Sequence, residues 1–368
     1  MEYTTLDKIS ENLDSKRKPI TSSDRVEGKI PYYGASGIVD YVKDYIFDES
    51  LLLVSEDGAN LLARSTPIAF SVTGKTWINN HAHVLRFSNE NLQKFVEIYL
   101  NSISLESYVT GSAQPKLNQK MLNGIPIPVV DDSQIEIIVN SVENLKSIIE
   151  LRKQELACLD ELIKARFVEM FGSPVSNPMS WEKRTLKEVC IKLNDGSHFS
   201  PESFETGDYK YVTAKNIKFS GFDFSNITYV PEAVHRPIFD RCNPEFEDVL
   251  YIKDGATTGV AIVNTLDEEF TLLSSVALLK QDRSIMNGYF LATLLNNKDM
   301  YLNIRNNMGG AAITRLTIAK LNAIEIIVPP IELQNQFAAF VAEVDKSKLM
   351  FQKLHQKLNI LQQKAGDI

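Results

Sequence analysis

The chain repeats itself, and this constrains its fold more than any other feature. Gly111-Ser-Ala-Gln-Pro-Lys-Leu117 returns as Gly310-Ala-Ala-Ile-Thr-Arg-Leu316. Leu122-Asn-Gly-Ile-Pro-Ile-Pro-Val129 returns as Leu321-Asn-Ala-Ile-Glu-Ile-Ile-Val328, and Gln134 lies near Gln334, each opening a long helical pattern. Upstream, Asp57-Gly58-Ala59 pairs with Asp254-Gly255-Ala256, Val84-Leu85-Arg86 with Leu278-Leu279-Lys280, and Thr5-Leu6 with Thr185-Leu186. Tyr32 and Ile38 pair with Tyr211 and Ile217, after which the offset jumps, so the second copy is predicted to carry an insertion of about 18 residues within Lys218 to Asp240. Each match is short, but their shared order along the whole chain points to duplication of one unit.

Each copy begins with short runs of Val, Ile, Tyr and Phe broken by Gly, Asn and Asp, which read as strands and turns. Each ends in a long helix. Apolar residues at 135, 138, 142, 145, 149, 156, 159 and 163 advance in steps of three and four, with Arg152 filling the break. Phe337, Phe340, Val344, Phe351, Leu354, Leu358 and Leu361 follow the same rule, with Ser347 at the weak position. Such a stripe is a coiled-coil seam, and about 35 residues at 1.5 Å each make a helix of roughly 50 Å, longer than a small domain is wide. The simplest partner for each helix is the other. Copies related by a pseudo-two-fold axis would set them antiparallel. The predicted fold is α+β: strand-rich domains at 1–132 and 173–330, joined by antiparallel coiled-coil helices at 133–172 and 331–368. Pro128 and Pro329-Pro330 interrupt the chain where each helix must begin, and Gly172-Ser173-Pro174 with Asn177-Pro178 ends the first helix.

Composition narrows the class. Hydrophobic residues make up 44% and charged residues 23%, ordinary values for a folded protein. The net charge of -8 excludes a uniformly basic nucleic-acid binder and leaves only local patches open. Residues 1–132 carry 13 bases against 17 acids and residues 173–330 carry 16 against 19, so neither domain has a basic excess. Cys158, Cys190 and Cys242 are too scattered for a disulfide framework or a zinc site. The N-terminus has no apolar core of a signal peptide, and no apolar run approaches the roughly 18 residues of a membrane span. A soluble, cytoplasmic protein is expected.

Catalytic signatures are weak. A base-modifying methyltransferase needs Asn/Asp-Pro-Pro-Tyr/Phe for its flipped base, and the Pro-Pro here is Val328-Pro-Pro-Ile331. Ala69-Phe-Ser-Val-Thr-Gly-Lys75-Thr76 fits a relaxed phosphate loop, but Trp77-Ile-Asn-Asn-His81 is no helix start. Pro201-Glu202 with Asp208-x-Lys210 mimics a nuclease pattern at very short spacing and reads better as a polar loop. His81 and His83 form a His-x-His pair with no obvious third ligand, and no metal is expected.

The order domain, long helix, domain, long helix resembles the specificity subunit of type I restriction–modification enzymes. The segment IIVPPIELQNQF (326–337) resembles the family's double proline and glutamine ahead of its conserved helix. GSAQPKL and GGAAITRL resemble the glycine-rich segment before the last strand of each target-recognition domain, and Trp181-x3-Thr185-Leu186 resembles the start of one. The first helix departs from the pattern: PIPVVDDSQI has neither the double proline nor Glu-Gln, and Leu333-Gln334 stands where Glu-Gln is usual. The resemblance implies a non-catalytic subunit whose recognition domains each read one half of a split double-stranded DNA target, with the helices setting the unread spacer. It implies two methyltransferase subunits as partners, two restriction subunits in the full complex, and no membrane. No cofactor is expected on this chain; S-adenosylmethionine belongs to the partner methyltransferase, and ATP and Mg to the restriction subunit. A specificity chain of a related system outside type I, a nucleotide-binding enzyme using the Lys75 loop, and a structural coiled-coil adaptor are the competing readings.

Candidate DNA contacts lie in polar loops that join glycine with a base or amide. They are Tyr32, Tyr33, Lys75, Asn79, Asn80, Gln114 and Lys116 in the first domain, and His198, Lys215, Asn216, Lys253, Thr257, Thr258, Thr314 and Arg315 in the second. Gln or Asn suits adenine and Arg or Lys suits guanine in the major groove. Lys116 and Arg315 are equivalent bases in otherwise different surroundings, as residues that hold phosphate would be.

Overall fold

The computed structural model describes residues 2–111, 114–306 and 315–365, with side chains described to position 349. The chain divides into two compact units, Met1–Lys153 with Gln352–Ile368, and Gln154–Phe351. In the first, the apolar run that begins at Leu51 forms the strand Leu51–Ser55, buried at every position. Strand side chains alternate between faces. Leu52 and Val54 accordingly join one apolar cluster, and Leu51 and Leu53 another. Burial on both faces is why the run shows no polar alternation.

This strand lies inside an antiparallel sheet ordered Ser10–Asn12, Ala82–Phe87, Leu51–Ser55, Ala69–Val72. One face packs on Phe95, Val96 and Leu100 of the helix Glu90–Ser102 and on Ile135 and Val139 of the first long helix. A second sheet runs Gly37–Val42, Glu27–Gly34, Lys75–Ile78, Phe47–Asp48, with Tyr32 and Tyr33 parallel to Trp77 and Ile78.

The second unit repeats this plan. Its sheet is ordered Cys190–Asp195, Val276–Gln281, Val249–Ile252, Ala261–Val263, with Val249 and Tyr251 in one cluster and Leu250 and Ile252 in another. The duplication extends to single hydrogen bonds. Asn101 holds both backbone groups of Ala69, and Asn296 both of Ala261. Leu6 N–H donates to Ile125 and Leu186 N–H to Ile324, beside the matching strand pairs Tyr3–Thr5 with Pro126–Pro128 and Lys183–Thr185 with Glu325–Ile327.

The registers confirm the Tyr32–Tyr211 equivalence, since Tyr211 runs parallel to Thr271 as Tyr32 does to Trp77. They overturn the Ile38–Ile217 pairing. Ile38 lies opposite Tyr33 on the returning strand, whereas Ile217 starts an additional hairpin, Ile217–Lys218 with Gly221–Phe222. The returning strand of the second unit is Thr228–Val230. Two stretches of extra length therefore replace the single insertion read from the sequence: this hairpin, and the connection that carries the helix Glu232–Arg241.

The long helices run Asp132–Phe171 and Ile331–Ala365. In the first, every seam position from 135 to 163 is at least partly buried, including Arg152, and most intervening positions are exposed. Asp131 supplies its cap, accepting from Gln134 N–H at 2.9 Å and from the Ser133 hydroxyl at 2.6 Å. In the second, buried Gln334 donates to Pro329 O (2.7 Å) and Ile285 O (3.0 Å) and accepts from Asn287 N–H (2.9 Å). Gly172, at φ 74°, closes the first helix in the left-handed conformation that glycine tolerates, donating to Val168 O.

Within the second unit the helices are antiparallel. Phe167 meets Phe337, Arg166 lies over the Phe340 ring, and Asp160 pairs with Lys348 at 2.8 Å, so numbers fall on one helix as they rise on the other. Lys348, half-sheltered, takes the seam place that the sequence assigns to Ser347, which is exposed. The contact is anchored by Phe167, Phe171, Phe290 and Phe337, whose ring centroids lie 4.8–5.7 Å apart in tilted, edge and stacked pairs. Buried aromatic clusters lose both area and ring geometry when one member goes. Phe337→Ala should cost about 3–5 kcal/mol, read as a lowered unfolding midpoint by calorimetry, while Ser347→Ala should leave the midpoint unchanged.

Candidate functional site

A strand buried on both faces carries its first charge where it leaves the core. In the first unit that residue is Glu56. Its backbone is fixed on both sides, its N–H donating to His81 O (2.9 Å) and its carbonyl accepting from Leu117 N–H (2.8 Å). Arg17 brings an Nη1 to 2.6 Å from the Glu56 carboxylate, and its Nη2 lies 3.5 Å from Asp14. Asp14 meets His83 Nδ1 at 2.5 Å and accepts from Val84 N–H at 2.8 Å, while His83 Nε2 faces Leu117 O at 2.7 Å. Lys116 closes the outer side, its ammonium 3.2 Å from Glu56.

The electrostatics of this cluster balance internally. Burial pushes the Asp14 carboxyl upward, but the hydrogen bond and charge of His83, the Val84 N–H and Arg17 outweigh it and hold the group below the ordinary carboxylate value. Glu56 behaves alike, with burial opposed by Arg17, His83 and Lys116. Asp14, Glu56 and His83 offer ligand atoms within 4.8 Å of one another. The guanidinium of Arg17 already lies among these carboxylates, however, and both ring nitrogens of His83 face protein oxygens. The arrangement supplies its own cation and is a poor fit for a metal. The His-x-His pair splits, because His81 is exposed and turns to Asp57 at 2.9 Å.

In the second unit Lys253 stands where Glu56 stands in the first. Its N–H donates to Ser275 O (2.9 Å) and its carbonyl accepts from Leu316 N–H (2.8 Å). The sign of the buried charge is thereby reversed. Lys253, 2% exposed, lies 3.2 Å from Asp195, which also meets His198 Nε2 at 3.1 Å and Arg241 at 3.7 Å. Arg315, exposed like Lys116, lies 3.4 Å from Asp254.

These clusters sort the candidate contacts. Lys75, Asn80, Gln114, Lys116, His198, Lys215, Thr257 and Arg315 are exposed, and Tyr33 is half-buried. Thr314 lies outside the described residues. Tyr32, Asn79, Asn216, Lys253 and Thr258 are buried, which removes their side chains from any direct base contact. Each has an internal task instead. Tyr32 OH bonds the Ile20 backbone, Asn79 accepts from His81 N–H, Asn216 accepts from Thr213 and donates to Asp223 O, and Thr258 donates to Gly255 O. Arg17, Asp14, Glu56, Asp195 and Arg241, which complete these clusters, are not among the residues singled out in the sequence. The Lys75 segment is a strand, Ala69–Val72, then a turn, then a strand, Lys75–Ile78, without the helix a phosphate loop requires, and the Lys75 ammonium rests over the Tyr45 ring at 4.7 Å.

Arg17→Met should leave the Asp14 and Glu56 charges without their guanidinium and cost about 3 kcal/mol at neutral pH. Both carboxyls lie below their unfolded values of about 4 in the native protein, so their contribution is full above about pH 4 and is lost as pH falls through the native values. Urea titrations should therefore show the deficit of Arg17→Met at pH 7 and its shrinkage below pH 4. A deficit constant across that range would place the role of Arg17 in packing alone.

The comparisons agree with this duplicated architecture. The family model of the type I restriction modification DNA specificity domain matches residues 1–161 and again 178–361. A Haemophilus influenzae protein named as type I restriction enzyme specificity subunit S.HindORF215P is 37% identical over 139 residues, which are 38% of this chain and 36% of that protein, so this match spans about a third of the relative's length. The Methanocaldococcus jannaschii MjaVIII specificity subunit is 21% identical over 360 residues, 90% of this chain and 83% of its own. Among solved structures, a type I restriction–modification system S subunit from M. genitalium superposes with a TM-score of 0.58 at 16% identity, over 99% of this chain and 94% of that one. A chain from a structure of type I system assembly and conformational transition does so at 0.58 and 17%, over 100% and 96%. With its fold repeated down to single hydrogen bonds and both copies matched, the chain belongs to the type I restriction–modification DNA specificity family and carries two specificity domains.

Proposed function

We propose that the two units read the two halves of a split DNA target, that the long helices fix the distance between them, and that catalysis is supplied by partner subunits. The observation that carries this reading is duplication of scaffold without duplication of surface. The sheets, the Asn101 and Asn296 clamps and the strand-end hydrogen bonds are the same, yet the second unit carries an exposed hairpin that the first lacks, and His81, exposed in the first unit, is replaced in the second by the partly buried Ser275. Two heads built alike and faced differently suit two different sequences. On this reading the partners are two methyltransferase subunits, which hold S-adenosylmethionine and enclose the DNA, and two restriction subunits with ATP and Mg in the larger complex. The near balance of acids and bases in each domain makes binding by the lone chain weak, since phosphate neutralisation supplies most non-specific affinity.

Lys116 and Arg315 are exposed bases at equivalent places and are assigned to phosphate. Gln114, exposed beside Lys116 with Ile313 at its counterpart position, is assigned to a base edge. The test is methylome sequencing with and without this gene, followed by exchange of residues 1–132 for another family member's first domain. One half of the methylated motif should change and the other stay; change in both halves, or in neither, would end the modular reading. In binding assays with the assembled methyltransferase, Lys116→Ala and Arg315→Ala should weaken all target variants alike and lower the salt slope by about one unit. Gln114→Ala should cost about 1–3 kcal/mol at a single base position.

The first long helix packs Ile135 and Val139 into the first unit's core and Phe167 and Phe171 into the second's, so its length links the two. Inserting four residues near Arg152 adds about 6 Å of helix. The unread spacer of the methylated motif should lengthen by one or two base pairs, with both half-sites unchanged. Retained activity on an unchanged spacer would show that the helices do not set the distance.

A further inference from the structure

The hairpin that separates the second unit from the first has an unusual apex. In the first unit, Gly34 pairs with Gly37 and the strands join directly. In the second, the chain makes the short helical turn Ala214–Asn216, then the hairpin, with Lys218 opposite Gly221 and Phe219-Ser220 forming the turn. Two-residue hairpin turns favour Gly, Asn and Asp. Phe219 serves neither the turn nor the core, and it is 64% exposed.

The ring is nonetheless placed. Its centroid lies 6.1 Å from that of Tyr301 on the helix Lys298–Asn306. Tyr301 in turn lies on Gly259, where a Cβ would come within 2.5 Å of the tyrosine ring, and Gly259 has a φ of +110° besides. One turn further along, Arg305 donates to the Tyr301 hydroxyl (3.1 Å) and to Thr258 O (2.8 Å). Lys215 and Lys218 flank the apex. Lys215 is exposed and has no ion pair among the described residues; Lys218 faces Asp223 only at 4.0 Å.

We propose that Phe219 is an apolar wedge that the second unit inserts at a base step of its half-site, with Lys215 and Lys218 on the adjacent phosphates and Tyr301 holding the ring in position. A hydrophobic protein surface would accept the ring but leave the ammonium of Lys215 unpaired. Duplex DNA accommodates both, since phosphates lie beside every step and an apolar side chain can enter a partly unstacked one. A ring already braced by Tyr301 loses little conformational freedom on insertion. The inference rests on the reading of the units as DNA-recognition domains and adds a deformation of DNA confined to one half-site, because the first unit has no equivalent hairpin.

The test uses the complete methyltransferase complex and duplexes of the mapped target, each carrying one 2-aminopurine, which brightens when unstacked. A step in or beside the second half-site, distinct from the methylated base, should brighten with the unaltered complex. Phe219→Ala should abolish that signal and weaken binding roughly tenfold, leaving the first half-site's signals intact. Phe219→Trp should retain both signal and affinity. Lys215→Ala should keep the signal and reduce the salt slope by about one unit. Unchanged signal and affinity in Phe219→Ala would overturn the wedge, as would loss of methyltransferase from the Phe219→Ala complex on gel filtration, which would make the ring a protein contact. An unaltered complex that binds all sequences alike would sink the specificity reading itself, and the wedge with it.

Discussion

A strand packed on both faces can carry charge only at its ends, and each unit is organised around one such strand. Leu51–Ser55 and Val249–Ile252 are buried throughout, each dividing its unit's core into two clusters. The chain emerges from the strand into a confined space, where an ionised group is costly unless paired. Glu56 is matched by Arg17 and Lys116, and Lys253 by Asp195. The scaffold thus dictates that a compensated charge cluster sits at this place and leaves its sign open. The fold can therefore stay while the charges enclosed at the strand end change.

The helices follow a different rule. Their stripe alternates three and four residues, and the burial pattern of the first helix obeys it from 135 through 163. A seam of this kind tolerates occasional polar residues when their ends reach solvent. Lys348, partly buried, does so with its ammonium on the exposed Asp160, and Arg152 is partly buried at its own seam position. The Phe167, Phe171, Phe290 and Phe337 cluster joins the seam to the second unit's core, so the packing that orients the helix is continuous with the packing that folds the domain.

What was legible in the sequence was what periodicity and repetition encode. The duplication, the helix stripes and the end of the first helix at Gly172 all depend on neighbours within a few turns or on comparison of the copies. The charge clusters were not legible, because they join residues far apart in sequence: Arg17 with Glu56, Asp14 with His83, Asp195 with Lys253. For the same reason Lys253 and Asn216 resembled surface residues. A lysine after a strand and an asparagine in a polar loop are ordinary surface text, and only the fold shows that one is enclosed with Asp195 and the other caps the turn after Thr213. The Ile38–Ile217 pairing failed because a hairpin begins with the same strand-like residues as the strand it displaces.

The ion pairs at the rim bear on how such a surface meets DNA. Lys116 and Arg315 are more than half exposed, and each rests against a carboxylate, Glu56 or Asp254. Exposed pairs of this kind stabilise a protein by about 0–1 kcal/mol, so giving one up to a phosphate costs little. The carboxylate nevertheless remains close by and repels the incoming phosphate, which lowers the net gain from each contact. A head that neutralised phosphate strongly would bind all sequences and mask the smaller differences between bases. On the proposed reading, weak phosphate contacts would leave a base-edge contact such as that assigned to Gln114 a larger share of the total. The same reading would leave the bulk of the affinity to the partner subunits it invokes.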